Sequence, residues 1–170
     1  MTRLEVVEIT AHDTHALRLS VLRYDTPTKE VSFAEDHLDG VVHLGVRDLD
    51  ADGEPILAVS SWVPRQYADP VDGTTEDRAV QLRGMATDRT LQATGIGGLL
   101  LDEGVRRMAA AGYRIVWARA RDAALRFYER HGFAVRGGGF VDEATQLPHH
   151  LVMRSIASDS SALSAVDRAP

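Results

Sequence analysis

No part of the chain restricts its fold more than residues 79–121, where the β-rich run AVQLRGMAT leads through DRTLQATGIGG into an apolar-periodic stretch and then into RIVWARA. The pattern predicts a strand, a glycine turn, a helix to about Ala111 stopped by Gly112, and a second strand. Glycine in such a turn costs conformational entropy. Its presence at positions 95, 97 and 98 therefore demands a reason.

The rest of the chain supplies neighbours for this unit. Val6 to Ile9 reads as a first strand, and Asp13 is placed to cap a helix carrying Leu17, Val21 and Leu22 at helical spacing. KEVSFAEDHLDG is acidic and irregular, as a loop is. VVHLGVR and ILAVSSWV, on either side of DLDADGEP, read as an antiparallel hairpin, and Pro64 to Asp77 as another loop. Asp122 is placed to cap a second helix, AALRFYERH, which Gly132 ends, and FAVRGGGF and HHLVMRSI supply two final strands. The tail, residues 157–170, has no period and reads as disordered. With 170 residues, 44% of them hydrophobic, the expectation is one domain over residues 1–156 built on a mixed α/β sheet.

Composition removes several function classes. A formal net charge of -6 leaves no basic surplus to neutralise phosphates, so nucleic acid is not an expected partner. Cysteine is absent, which excludes disulfides, thiolate metal sites and a cysteine nucleophile together. MTRLEVVEIT lacks the apolar core of a signal peptide, and no apolar run approaches the ~20 residues that span a bilayer. The expected location is cytoplasmic, without membrane contact.

A strand that ends in a glycine turn and opens a helix directs unpaired N–H groups outward, with the positive end of the helix dipole behind them. Such a turn binds anions, phosphate above all. A P-loop requires Lys and then Ser or Thr after its last glycine, and here Gly98 is followed by Leu99 and Leu100. A dinucleotide fold asks for a third glycine where Leu100 stands, and for an acidic residue at the end of the next strand that this chain lacks. ATP and NAD both fit poorly.

Gln92, Gly95 and Gly97 form Q-x-x-G-x-G, with LRGMAT before it and FYERHGF after it. In this order and spacing the chain resembles the GNAT superfamily of acetyl-CoA-dependent N-acetyltransferases, most specifically from Leu82 to Phe133. Within it the likeness is to small bacterial members of unassigned substrate, and more loosely to ElaA-type proteins. The resemblance implies a mostly antiparallel central sheet, helices on both faces, and a splay between the strands flanking the coenzyme turn.

It also implies a division of labour. The main chain of Met85, Ala86 and Thr87 would face the pantetheine arm, and Gln92, Ala93, Thr94, Gly95, Ile96, Gly97 and Gly98 would hold the pyrophosphate. A backbone N–H near Met85 would stabilise the oxyanion, a contribution of ~3 kcal/mol in such sites. Tyr128 matches the family's tyrosine beside the coenzyme sulfur, which assists thiolate departure. Where related sequences often carry Asn-Ala-Arg, this one has Arg119-Ala120-Arg121, so Arg119 and Arg121 join the coenzyme-binding candidates, with Arg119 open to solvent, a 3'-phosphate or an acidic acceptor.

The general base has several candidates. The strand before the turn has no carboxylate between Val80 and Thr87, whereas His43 and His149 or His150 lie in strands and imidazole suits the task. A water chain would serve as well. Glu35, Asp36 and Asp39 are placed to attract a cationic amine, and Trp62 either lines an acceptor pocket or is buried. The expected activity is acetyl transfer from acetyl-CoA, a cosubstrate, to a small-molecule or peptide amine by direct attack, without metal and in a chain able to dimerise. A non-catalytic CoA-binding sensor or interaction module is the alternative, and a tRNA-acetylating toxin of the same superfamily is a third, against which the acidity argues.

Overall fold

Residues 2–157 are described by the computed structural model. Of the 157–170 tail only Ala157 falls among them, so the expected disorder lies outside the described residues. The strands are β1 (Leu4–Ile9), β2 (Val42–Asp48), β3 (Ile56–Pro64), the short pair β4 (Ala68–Asp69) and β5 (Gly73–Thr74), β6 (Ala79–Thr87), β7 (Ile115–Arg121), β8 (Ala134–Val141) and β9 (Pro148–Ser155). The helices are α1 (residues 12–22), α2 (Ile96–Ala110) and α3 (Leu125–Arg130).

Seven strands form one sheet in the order β1-β2-β3-β6-β7-β9-β8. Every neighbouring pair in it is antiparallel except β6 and β7, the two joined through α2. A helical crossover is what a parallel pair requires. That pair is in register only from Ala79 opposite Ile115 to Gln81 opposite Trp117. Beyond it, residues 82–87 follow β3 and residues 118–121 follow β9, so the sheet opens between them. The β3–β6 ladder also slips between Val59 and Ser61, opposite Gly84 and Met85, and Gly84 takes φ +57. A bulge therefore sits on the edge of the gap.

One face of the sheet is covered by α2, whose Ile96, Leu100, Leu101, Val105, Met108 and Ala109 are buried in one cluster with Leu44, Val46, Trp62, Val80 and Leu82. Each large apolar side chain so buried contributes about 1.5–3 kcal/mol. Trp62 is fully buried here, with its indole N–H on Ser60 Oγ at 2.9 Å. It lies so close to α2 that a Cβ on Gly104 would come within 2.0 Å of the ring. Trp62 is thus core, and the acceptor-pocket alternative falls. On the other face, Leu17 of α1 packs with Ile9, Val59 and Ala86. Helices on both faces of a mixed, mostly antiparallel sheet match the expected architecture.

Local details differ from the sequence reading. The first helix is a composite of a 3-10 turn, one α turn and a π turn. Asp13 stands inside its first turn, where it and Thr10 exchange side-chain to backbone hydrogen bonds at 2.9 and 3.2 Å. Asp122 does not cap the second helix with its side chain. Its carboxylate meets His150 Nδ1 at 2.7 Å, while a 3-10 turn, Asp122–Ala124, leads into α3. The expected loops also hold structure: a 3-10 turn at Ala34–His37, and the β4–β5 hairpin. Gly112 and Gly132 end their helices at φ +91 and +85, as predicted. Among the described residues no helix is long and apolar enough to cross a membrane.

Candidate active site

The glycine turn stands where the sheet opens. Asp88 shapes its approach by accepting from the Thr90 N–H at 2.9 Å and its hydroxyl at 2.7 Å, and the turn passes through positive φ at Ala93 (64°) and Gly95 (93°). Gly95 precedes α2 without any side-chain cap. Among the described residues the N–H groups of 93–98 donate to no other group of the protein. A run of unpaired donors at the head of a helix of this length has the geometry and dipole to receive an anion.

The three glycines have different reasons. A Cβ on Gly95 would meet nothing, and there the left-handed backbone sets the choice. A Cβ on Gly97 would come 3.1 Å from Thr87 Oγ1, and one on Gly98 would come 2.8 Å from the His131 ring. These two are small because the protein's own side chains close over the helix head. Gly97 also brings Met85 and Phe127 to the same spot, at 3.7 and 3.6 Å from its virtual Cβ. The turn, the bulged end of β6 and the start of α3 thereby converge.

Tyr128 follows Phe127 in α3 and packs edge-on against it. It is buried in the α2-side cluster, edge-on to Phe127 and Phe133 at ring distances of 5.4 Å. Its hydroxyl makes no hydrogen bond to another group among the described residues, and its oxygen is not among the buried atoms left without a partner. Burial pushes the phenol up to about 12, so it stays protonated across the working pH range.

A model of the acetyltransferase (GNAT) family matches residues 9–133. The chain belongs to the GNAT acetyltransferase family. It is 31% identical over 150 residues to the uncharacterized N-acetyltransferase YitI of Bacillus subtilis, covering 88% of this chain and 94% of that protein. Its fold is shared with Escherichia coli ElaA (TM-score 0.69, 14% identity, 91% and 99% of the two chains) and with an acyl-CoA N-acyltransferase from Pseudomonas aeruginosa (0.67, 18%, 91% and 99%). It is accordingly an acyltransferase enzyme, and acetyl-CoA is the donor that GNAT acetyltransferases generally use.

The opposite mouth of the GNAT splay, on the α1 face, is built from charge. Arg18 is fully buried and grips Asp36 at 2.7 and 2.9 Å. Burial alone would raise the Asp36 carboxyl, but hydrogen bonds from Arg18 and from the Phe33 N–H outweigh it and hold it below the ordinary range. Arg18 Nη2 also donates to Ser61 Oγ at 2.8 Å, the Ser61 hydroxyl reaches His43 Nδ1 at 2.7 Å, and His43 Nε2 meets the Asp36 carbonyl at 3.0 Å. A carbonyl only accepts, so Nε2 carries the proton and Nδ1 takes that of Ser61. Both nitrogens of His43 are engaged internally, and as a candidate base it is replaced by a structural role.

The acidic segment is likewise committed. Asp36 is buried, and Glu35 is shared between Arg65 at 2.9 Å and Arg83 at 2.5 Å, leaving Asp39 alone of the three without a salt bridge among the described residues. The attraction expected for a cationic amine is thus neutralised at source. Arg119 and Arg121 lie on this face too. Arg119 meets Asp142 at 3.1 Å and stacks on Phe140, while Arg121 donates to the Leu22 carbonyl and stands 4.0 Å from Asp25. Neither has a hydrogen bond or ion pair with the glycine turn.

The two other candidate bases, His149 and His150, fall on opposite faces because they are consecutive in β9. His150 is tied to Asp122 beside α3. His149 is paired in register with Arg121, and its Nδ1 bonds the Leu147 carbonyl at 2.9 Å. That bond places the proton on Nδ1 and leaves Nε2 with its lone pair and no partner among the described residues.

Proposed function

We propose that this enzyme moves acetyl from acetyl-CoA to a primary amine by direct attack, with donor and acceptor entering the splay from opposite faces of the sheet. The observation that carries this reading is the convergence, at one end of the gap, of the unpaired N–H groups of 93–98, the bulged end of β6 at Met85 and Thr87, and Phe127 of α3, against which Tyr128 packs. The turn residues from Gln92 to Gly98 hold the pyrophosphate. The freed edge of Met85, Ala86 and Thr87 offers backbone groups to the pantetheine arm, as an added strand would use them.

The amine lone pair forms the C–N bond at the thioester carbon, and the C–S electrons leave on sulfur. The Met85 N–H steadies the oxygen as its charge grows. Tyr128 donates a hydrogen bond to the departing sulfur. With its phenol at about 12 and a free thiol near 8.5, complete proton transfer is uphill by roughly 5 kcal/mol, so Tyr128 acts as a donor that keeps its proton. On the acceptor face, the free Nε2 of His149 suits the amine's proton better than the engaged nitrogens of His43.

Thermal unfolding with acetyl-CoA, CoA, NAD and ATP tests the first step. A ligand at 100 times its Kd adds about 2.7 kcal/mol. A rise in midpoint confined to the two CoA species supports the reading, and a rise with NAD alone, or with none, defeats it. A protein that binds acetyl-CoA, yet releases no thiol with any amine of a broad panel, is instead the non-catalytic module.

A further inference from the structure

Charge is distributed unevenly over this chain. Its formal net charge is -6, yet six arginines, at 18, 23, 65, 83, 119 and 121, gather on the α1 face around the opening of the sheet. Phe33 is their hub: the guanidinium carbons of Arg18, Arg83 and Arg23 lie 3.9, 5.0 and 5.5 Å from its ring centre. Phe33 and Arg18 also touch β6 at its bulge, where each is 3.0 Å from the position a Cβ on Gly84 would take. The cluster therefore reaches the bulge itself.

The carboxylates that face it do not balance it. Asp36 is consumed by Arg18, Glu35 is divided between Arg65 and Arg83, and Asp142 faces Arg119. Asp25, 4.0 Å from Arg121, has a side chain 58% exposed, where screening leaves such a pair little strength. Among these groups, six guanidiniums less four carboxylates leave +2. Arg23 has no carboxylate partner among the described residues; its Nε donates to the Glu30 carbonyl at 2.8 Å, and no side chain meets its other nitrogens. Burial, then the charge of Arg121 and more weakly those of Arg18 and Arg83, outweigh the opposing charge of Asp142 and hold the Arg23 guanidinium below its ordinary range. Arg18 Nε is a second orphan, buried and without a partner.

Unbalanced guanidinium groups beside a hydrophobic ring suit an anion carried by an organic molecule. We propose that the amine acceptor bears a carboxylate or phosphate group, which Arg23, Arg83 and Arg121 hold while the amine reaches the bulge at Met85. This inference rests on the acetyl-transfer reading and deepens it by naming the acceptor class. A polyamine is the opposite choice, since its added positive charges would meet the surplus.

Initial rates of thiol release, with acetyl-CoA saturating, test the proposal on matched amines. The panel is leucine, leucinamide and isopentylamine; β-alanine, β-alaninamide and propylamine; phosphoethanolamine and ethanolamine; and spermidine. A charged contact of this kind predicts kcat/KM roughly 10- to 100-fold higher for an anionic member than for its neutral counterparts. Preference within the amino-acid series identifies carboxylate as the anion, and preference for phosphoethanolamine identifies phosphate. In Arg23→Gln that preference should fall at least ~10-fold, with Arg23→Lys recovering part of it and the acetyl-CoA-induced rise in unfolding midpoint intact. Neutral amines or spermidine reacting as well as the anionic ones would overturn the proposal, as would a preference that survives in Arg23→Gln. Absence of any acetyl-CoA-induced rise defeats the acetyl-transfer reading instead, so the two failures are told apart.

Discussion

The two faces of the sheet are built on different physics. The α2 face is dry: Trp62, Leu100, Leu101, Val80 and Val116 are fully buried, and its glycines mark where backbone and rings touch. The α1 face has a smaller apolar cluster and, beside it, a buried network running from Arg18 through Asp36 and Ser61 to His43. Packing tolerates substitution by volume, whereas a buried charge network tolerates almost none, because removing one member strands the others. Coenzyme binding on this reading draws on backbone groups, and so asks little of the side chains beyond the glycines of the turn. Acceptor choice needs particular side chains, and so belongs to this chain.

The largest effect should come from the polar face. Asp36→Ala leaves Arg18 buried and unpaired and should destabilise the protein by about 3–5 kcal/mol in urea unfolding at neutral pH. The folded Asp36 carboxyl lies below its ordinary value of 3.8, so its contribution is fully present above that pH and is lost as pH falls through the lowered folded value. The gap between wild type and Asp36→Ala should therefore narrow in acid. A gap that is small at neutral pH, or that widens in acid, would show the network to be incidental.

On the dry face, Gly104→Ala drives a methyl into the Trp62 ring and should cost roughly 3 kcal/mol, independent of pH. Unaltered stability would mean that α2 shifts freely and the packing contrast is overstated. Tyr128→Phe should leave folding and acetyl-CoA affinity in place while kcat drops about 100-fold, since only the hydroxyl is lost. Equal losses in affinity would recast Tyr128 as a packing residue. The smallest effect is Gly95→Ala, where the left-handed backbone costs about 1–2 kcal/mol; calorimetry should find acetyl-CoA binding weakened with it. Unweakened binding would move the anion site away from the turn.

Much of this was legible in the residues. The strand, turn, helix and strand of 79–121 follow from periodicity and from Gly112, because helix and strand formation are local and each residue reports its own backbone demand. Q-x-x-G-x-G with FYERHGF announced the family for the same reason. What sequence could not fix is where a side chain spends its charge. Glu35 and Asp36 read as a lure for cations, and folding spent both on arginines distant in the chain. His43 looked as available as His149, until Ser61 and a backbone carbonyl occupied both its nitrogens. Trp62 read equally as pocket or core until α2 came to rest on it at Gly104. The sequence by itself determined the elements, the turn and the family, since those depend on neighbours along the chain. The tertiary structure decided which charges cancel and which remain at the splay, because Coulombic and hydrogen-bond partners are chosen by distance in space.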